Sequence, residues 1–522
     1  MKSFPLHAAD FYKLSHRKFM REGTTFLYAN LTPRAGKYMA WADDNQQVVV
    51  LGLQHFLKDF LIGEFNEAFF NRPKAEVIAK FKRRCDTSLG PDSIPTDHIE
   101  ALHDLGYLPL CIKALPEGSL VNFKVPVLTV FNTHPDFAWL VTYIESVLSD
   151  ELWPVMTSAT TAFQFLKVCN EYADKTVGHR LHVPFQCHDF SMRGMMGRQA
   201  AALSGIGHLA SFTGTDTIQA IDLIEDYYNV DAETFFIAGS VPASEHSVTS
   251  LGIAVDGEME TLRRWISVDY PEGIVSIVSD TIDYWKVLTE YLPALEPEIR
   301  ARKKNALGFA KVVVRPDSGD PVRIICGYDE SELNRRPGLI AQGLVMVRED
   351  NSLITLEEAD GSIVTLYRKF GGTVNAKGYK ELDPCIGLIY GDSITLDRAK
   401  EIFARLERKG FASSNVVFGV GSYTYQHVTR DTLGIAVKAT YAVVDGEGKE
   451  LFKDPKTDSG VKKSARGLLV VGKKGDTDEY VLVDQVGVET EKSGFLREVF
   501  RDSTILVEED WGTIRNRLQS QA

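Results

Sequence analysis

The sequence predicts an α/β protein: a (β/α) barrel-like domain joined to a mixed α+β domain built from both ends of the chain. Three observations carry that reading. Between about residue 185 and residue 423, seven apolar runs end in small, charged or hydrogen-bonding residues: VPFQCHDFSMRG, LASFTGTDT, FFIAGSVPASEHS, IVSIVSDTID, KVVVRPDSGD, CIGLIYGDSI and NVVFGVGSY. Continuous runs of this length suit strands buried on both faces, as in a parallel sheet. Amphipathic stretches alternate with them, which is the pattern of βα units. Outside this region the pattern changes, to mixed helix and strand before it and to hairpins after it.

Residues 1 to about 150 combine helical stretches, such as VVVLGLQHFLKDFLIGEF, with the short strands TTFLYANL and VPVLTVFNT. From about 151 to 427 the alternation of strand and helix defines the barrel. TDTIQAIDLIEDYY and DRAKEIFARLERKG read as two of its helices, the second with Asp397 as N-cap and Gly410 after its last turn. Residues 322–384 separate two strand runs by more than one helix needs, so an insertion is expected there. Within it, GLVMVREDNSLITLEEADGSIVTLYRKF reads as a small antiparallel meander turning at Asp360-Gly361. From about 428 to 522, ATYAVVDGEGKELFKD and RGLLVVGKKGDTDEYVLVD each set a glycine-bearing turn between strands.

A chain of 522 residues is too long for one small core, so two domains are expected. The net charge of -13 argues against general nucleic-acid binding, which favours basic faces. The six cysteines, Cys85, Cys111, Cys169, Cys187, Cys326 and Cys385, include no CxxC pair. They fit reduced thiols in the cytoplasm better than disulfides or a zinc site. The N-terminal stretch lacks the apolar segment of a signal peptide, and no apolar run approaches the roughly 20 residues that span a bilayer. A cytoplasmic protein with neither membrane nor nucleic-acid partners is the expectation.

In parallel α/β sheets ligands bind beyond the carboxyl ends of the strands. Seven runs that are polar at that end are hard to explain by core packing alone. In His188-Asp189-Phe190-Ser191-Met192-Arg193-Gly194, Arg193 offers a planar fork suited to phosphate oxygens, and Phe190 a ring face for a flat substrate. A core phenylalanine and an ordinary ion pair are the plainer readings. Asp216, in GTDT, is either an early-helix carboxylate or an acceptor for a substrate amide. His246 has no glycine-flanked serine or nearby cysteine, which disfavours a nucleophilic triad; it can contact a diphosphate or take up a phosphoryl group. Asp280, Asp317 and Asp392 each close a strand beside a small residue, as turn caps, ribose acceptors or Mg2+ ligands. Arg315 lies two residues before Asp317, so both point to one face of an extended segment. Gly419-Val420-Gly421-Ser422 lets backbone N–H groups approach a phosphate. Arg430 and Lys438, taken alone, read as solvated cations. Together these residues predict a barrel enzyme acting on an anionic, phosphate-bearing substrate.

The motifs HDFSMRG, GTDT, SVPASEHS, VSD, RPDSG, YGDSI, FGVGS and TRD, in that order, resemble the nicotinamide phosphoribosyltransferase family of type II phosphoribosyltransferases. The resemblance begins at Asp10-Phe11-Tyr12-Lys13-Leu14-Ser15-His16 and runs through Phe452-Lys453-Asp454-Pro455. It implies transfer of phosphoribosyl from phosphoribosyl pyrophosphate to nicotinamide, in a homodimer with shared active sites, with Mg2+ and with ATP as an optional coupling substrate. On that resemblance Phe190 and Tyr12 of the partner subunit sandwich the pyridine ring, and Asp216 binds its amide. Arg193, His246 and Arg315 hold diphosphate, while Asp317, Gly391 and Asp392 hold ribose. Gly421, Ser422 and Arg430 surround the 5′-phosphate, and Asp280 and Asp317 contact Mg2+. Arg34 and Lys438 reach phosphate across the dimer, and His246 is the phosphohistidine that couples ATP hydrolysis. His246, Arg315 and Asp317 are therefore the expected catalytic residues.

Three departures from the family stand out. Ser422-Tyr423 replace further glycines, Ala436 stands where a serine is usual, and the 322–384 segment is longer than in the shorter members. Two alternatives accompany the reading: a nicotinate-preferring relative, and a non-catalytic binding or signalling protein on the same fold.

Overall fold

The computed structural model describes residues 4–39, 47–391, 393–457 and 463–522. Six of the seven apolar runs supply strands of one parallel sheet: β1 (Cys187–Asp189), β2 (Gly214–Thr215), β3 (Gly273–Val278), β4 (Ala310–Arg315), β5 (Ile386–Tyr390) and β6 (Val416–Val420). Their order is β2-β1-β6-β5-β4-β3, with every pair parallel. The sheet curls, because the irregular segment between β2 and β3 bridges both of its edges: Gly239 pairs with Gly214, and Ala243 with Ser276. That segment is the seventh run, FFIAGSVPASEHS, expected as a strand. Pro242 offers a reason for bridges instead, since proline has no N–H for a ladder. The strand expected over LASFTGTDT is also shorter. The helix Arg198–Leu209 takes the first residue of that run and a turn follows it, so only Gly214–Thr215 is extended.

Alternation along the strands sorts core from site. Val275 and Ile277, Val312 and Val314, Ile386 and Leu388, and Val416 and Phe418 all enter one apolar core. Residues between them, Arg315 and Gly419 included, fall on the other face.

Both chain ends build the second sheet, as expected. Its seven antiparallel strands run Glu447–Glu450, Ala436–Val444, Thr24–Thr32, Leu128–Asn132, Leu110–Ala114, Arg497–Arg501 and Thr504–Ile505. The helix Glu145–Thr176, about 48 Å long at a rise of about 1.5 Å per residue, ties the domains together. Leu148, Leu152 and Met156 lie in the mixed domain's core, and Ala159, Phe163 and Cys169 in the barrel's. The final helix, Trp511–Gln519, adds Trp511, Ile514 and Leu518 to the barrel core.

Three local expectations are corrected. Only half of the expected meander is extended. Leu333–Asn334, Leu344–Val347 and Leu353–Thr355 pair as strands, but Leu356–Asp360 and Ser362–Phe370 are helices. A capping box between Thr355 and Glu358 starts the first, and Ile363, Leu366 and Phe370 form the buried face of the second at helical spacing. Asp360-Gly361 therefore turns between helices. The helix Leu396–Arg408 is capped by Thr395, whose side chain accepts from Arg398 N, while Asp397 sits in its first turn. VVVLGLQHF opens as the end of a strand, Gln47–Val49, and becomes helical only after Gly52, whose φ of 100° breaks the chain direction. Among the described residues, no helix is long and apolar enough to cross a membrane.

Candidate active site

The carboxyl ends of the curled sheet gather most of the barrel residues singled out above. Phe190 follows β1, Asp216 follows β2, Asp280 lies just after β3, Arg315 ends β4, Gly391 follows β5 and Gly421 follows β6. Parallel register fixes their neighbours, setting His188 beside Gly419 and Val278 beside Arg315. Asp392 lies outside the described residues.

Asp280 is the anchor. Its side chain is 4% exposed, and Oδ2 accepts from Asp317 N at 2.9 Å, Ser318 N at 2.8 Å and Ser318 Oγ at 2.6 Å. Oδ1 is buried without a hydrogen-bond partner and lies 3.7 Å from His246 Nε2. Asp317 Oδ2 lies 3.7 Å from the same nitrogen. His246 opens the helix His246–Asp256, with Nδ1 3.1 Å from Thr281 Oγ1, so Nε2 is the nitrogen turned towards both carboxylates. Arg315 Nε is 3.9 Å from Asp317 Oδ1, and its Nη2 donates to the Ser244 carbonyl. These separations exceed hydrogen-bond length but bring the four side chains together at the strand ends.

Three glycines mark close approaches there, and none of them has a positive φ. A Cβ on Gly391 would lie 2.1 Å from Asp317 Oδ1, and one on Gly419 would lie 2.4 Å from Phe190 Cδ2. A Cβ on Gly194 would lie 1.9 Å from Ser422 Oγ, which ties the Arg193 turn to the last loop. Arg193 itself is exposed. Asp216 is also exposed, and its Oδ1 accepts from Ser240 Oγ at 2.6 Å. Beneath Phe190 the buried His188 stays neutral, because burial lowers its pKa to about 4.

A second group lies on the mixed domain. Tyr12 and Arg430 line a cavity of about 390 Å³ together with Asp10, Glu145 and Asp150. Arg34 and Lys438 line another, of about 220 Å³, with Asn30 and Lys124. Glu145 links them: Oε2 is 2.5 Å from Lys13 Nζ and Oε1 is 3.9 Å from Lys438 Nζ. Burial lowers the Lys438 pKa below the ordinary lysine value, and burial followed by the charge of Asp10 raises that of Tyr12. No residue from the barrel's strand ends lines either cavity. Phe190, Gly421 and Ser422 are absent from the linings of both.

Among the described residues no group of three or more His, Cys, Asp or Glu is placed to hold a metal ion. Asp280 and Asp317 fit Mg2+ in a different sense. Mg2+ commonly takes one or two carboxylates and completes its shell with substrate phosphates and water, and the free Oδ1 of buried Asp280 suits that use. Sequence reasoning missed Thr281, Ser318, Ser240 and Glu145. Ser318 sits inside the PDSG motif already noted, but Glu145 carries no local signal, since its partners Lys13 and Lys438 are remote in the chain.

The nicotinate phosphoribosyltransferase (NAPRTase) family model matches residues 185–503. Over 518 residues the chain is 51% identical to the nicotinamide phosphoribosyltransferase of Acinetobacter baylyi, covering 99% of this chain and 97% of that protein. It is 33% identical to the nicotinamide phosphoribosyltransferase of Mycoplasma pneumoniae, over 87% of this chain and 92% of that one. Its fold resembles the nicotinate-nucleotide pyrophosphorylase of Pyrococcus furiosus, with a TM-score of 0.57, 16% identity and 100% and 98% of the two chains covered. Human nicotinic acid phosphoribosyltransferase is similar at a TM-score of 0.50 and 15% identity, with 100% and 93% covered. At those identities the structural likeness speaks for the fold alone.

Proposed function

The chain belongs to the nicotinate phosphoribosyltransferase family, and from that premise we propose that it transfers phosphoribosyl from phosphoribosyl pyrophosphate to nicotinamide, giving nicotinamide mononucleotide and pyrophosphate in NAD salvage. The observation that carries the reading is the gathering at the strand ends of a ring-bearing Phe190, an acceptor Asp216, the acids Asp280 and Asp317, the cations Arg193 and Arg315, and the imidazole of His246. The pyridine nitrogen attacks the anomeric carbon as its bond to pyrophosphate breaks, so no protein nucleophile is needed. In this reading Arg193, Arg315 and His246 stabilise the departing charge, and Asp317 holds the ribose. Mg2+, held by Asp280 and Asp317 with the substrate, would supply further charge neutralisation.

Asp216 supports nicotinamide over nicotinate. Ser240 occupies its Oδ1, which leaves Oδ2 to accept from the substrate amide. A nicotinate carboxylate at hydrogen-bond distance would instead be repelled by about 1 kcal/mol in water-like surroundings. The family description names nicotinate, so that base is the second reading. Assaying both bases side by side decides between them. Asp216→Asn should lower the nicotinamide-to-nicotinate ratio of kcat/KM; an unchanged ratio rejects the role. Formation of no mononucleotide from either base would favour a non-catalytic binding protein.

The proposal includes a homodimer in which Tyr12, Arg34, Arg430 and Lys438 of one subunit face the strand ends of another. That these residues line two cavities with no strand-end residue among their walls supports it. If Asp280→Ala and Arg430→Ala subunits, each inactive alone, are unfolded and refolded together, half the dimers are mixed and each carries one intact site. Activity should return to about a quarter of the parent value for a twofold-symmetric dimer; no recovery would reject shared sites. ATP as an optional coupling substrate through His246, and a cytoplasmic setting suited to six buried free cysteines, complete the proposal.

A further inference from the structure

Beside the segment that carries Tyr12, the mixed domain holds a cavity of about 510 Å³ that the proposed chemistry does not use. Its volume is that of a small-molecule site, within roughly 300–1,000 Å³. Leu14, Ile94 and Pro95 form apolar wall, and Arg17, Lys18 and Arg21 bring three cations to the lining. Glu22 and Asp136 are the two acids of the lining, so the cavity carries a net positive charge in a chain of net charge -13.

Two further lining groups point to a ligand. Trp139 Nε1 has no hydrogen-bond partner, and His98 Nδ1 has none nearer than Asp97 Oδ1 at 3.7 Å, although their residues are only 3% and 5% exposed. The rings meet edge to face, with centroids 4.8 Å apart. Buried polar atoms without close partners are costly and uncommon, and here both belong to residues that line one cavity. Trp139 can only donate. His98 is neutral near physiological pH, since burial lowers its pKa to about 4. The cations are partly committed: Arg17 Nη1 donates to Asp97 at 2.5 Å, and Lys18 Nζ to the Ser93 carbonyl at 2.8 Å. Lys18 keeps two more N–H groups, and Arg21 forms no ion pair among the described residues.

We propose that this cavity is a second ligand site, binding a phosphate ester of mononucleotide size with its phosphate on Arg17, Lys18 and Arg21 and its polar ring body against Trp139 and His98. A phosphate matches the cationic side chains. A flat body with hydrogen-bonding edges matches an apolar wall that carries one obligate donor and one imidazole nitrogen.

Calorimetric titration of the full chain with adenosine monophosphate tests the proposal, with inorganic phosphate and adenosine as separate arms. Adenosine monophosphate should bind the parent and bind Arg21→Ala and Trp139→Phe about tenfold or more weakly, while both variants keep the parent Tm and kcat/KM. In hydrogen exchange it should protect amides of residues 14–25 and 94–98. Unchanged affinity in Arg21→Ala overturns the proposal whatever Trp139→Phe does to folding. Adenosine binding as tightly as the monophosphate removes the phosphate subsite, and phosphate binding as tightly as the monophosphate removes the ring subsite; either result overturns it. So does the absence of binding to the parent at millimolar concentration.

Discussion

Gly391→Ala is the sharpest test of the strand-end geometry. Gly391 has no positive φ, so alanine strains no backbone there. The conflict is purely spatial. The added Cβ would lie 2.1 Å from Asp317 Oδ1, against the 3.4 Å at which ordinary contact begins, so the carboxylate must retreat by about 1.3 Å. The backbone cannot easily absorb this. Gly391 N donates to the Pro316 carbonyl at 3.2 Å, and Asp317 N is held by Asp280 Oδ2 at 2.9 Å. The Asp317 side chain must therefore rotate, which changes its 3.7 Å approach to His246 and its 3.9 Å approach to Arg315. Misplacement of a reacting or positioning group by about 1 Å costs about a hundredfold in rate. Steady-state kinetics with nicotinamide and phosphoribosyl pyrophosphate should show a loss of that order in kcat/KM, with a thermal midpoint close to the parent's. Gly472→Ala, with nothing within 4 Å of its new Cβ, serves as the control. A Gly391→Ala enzyme within about threefold of the parent, at unchanged Tm, would refute the claim that Asp317 works from this position.

Two further outcomes are expected. Burial, reinforced by Asp150, Asp59 and Glu64, raises the Glu151 pKa from 4.5 to about 7. The folded state therefore keeps a proton that the unfolded chain has lost, and stability falls as pH rises through that window. Glu151→Gln removes one contribution, while Glu117, also raised to about 7 by burial, keeps another. Denaturant unfolding across the window should show a shallower but still falling stability for the variant, and an unaltered slope would exclude Glu151. His246→Ala should abolish any stimulation of mononucleotide synthesis by ATP; stimulation equal to the parent's would remove the phosphohistidine role.

The strand ends were legible because one short segment encodes both scaffold and chemistry. In KVVVRPDSGD the valines specify a buried strand, and the next residues are placed at its end by chain connectivity alone. The same logic overreached at FFIAGSVPASEHS, where apolar content spoke for a strand that Pro242 does not complete. It overreached again at SIVTLYRKF, whose β-branched residues suit a strand in isolation. There the packing of Ile363, Leu366 and Phe370 decided for helix. Contacts between distant segments were not legible at all. Nothing local marks Glu145 as the partner of Lys13, or Thr281 as that of His246.

Asp280 and Asp317, paired as metal contacts by motif, are unequal in the folded chain. Asp280 is buried and gives one oxygen wholly to the backbone and hydroxyl of the turn that bears Asp317. Buried carboxylates require such donors, so this half of Asp280 sets where Asp317 stands. Only its other oxygen is left to face His246. Asp317, with a side chain 35% exposed and its Oδ1 close to Gly391, is the more accessible of the two. A motif records two acids at strand ends; packing makes one of them the support on which the other is aimed.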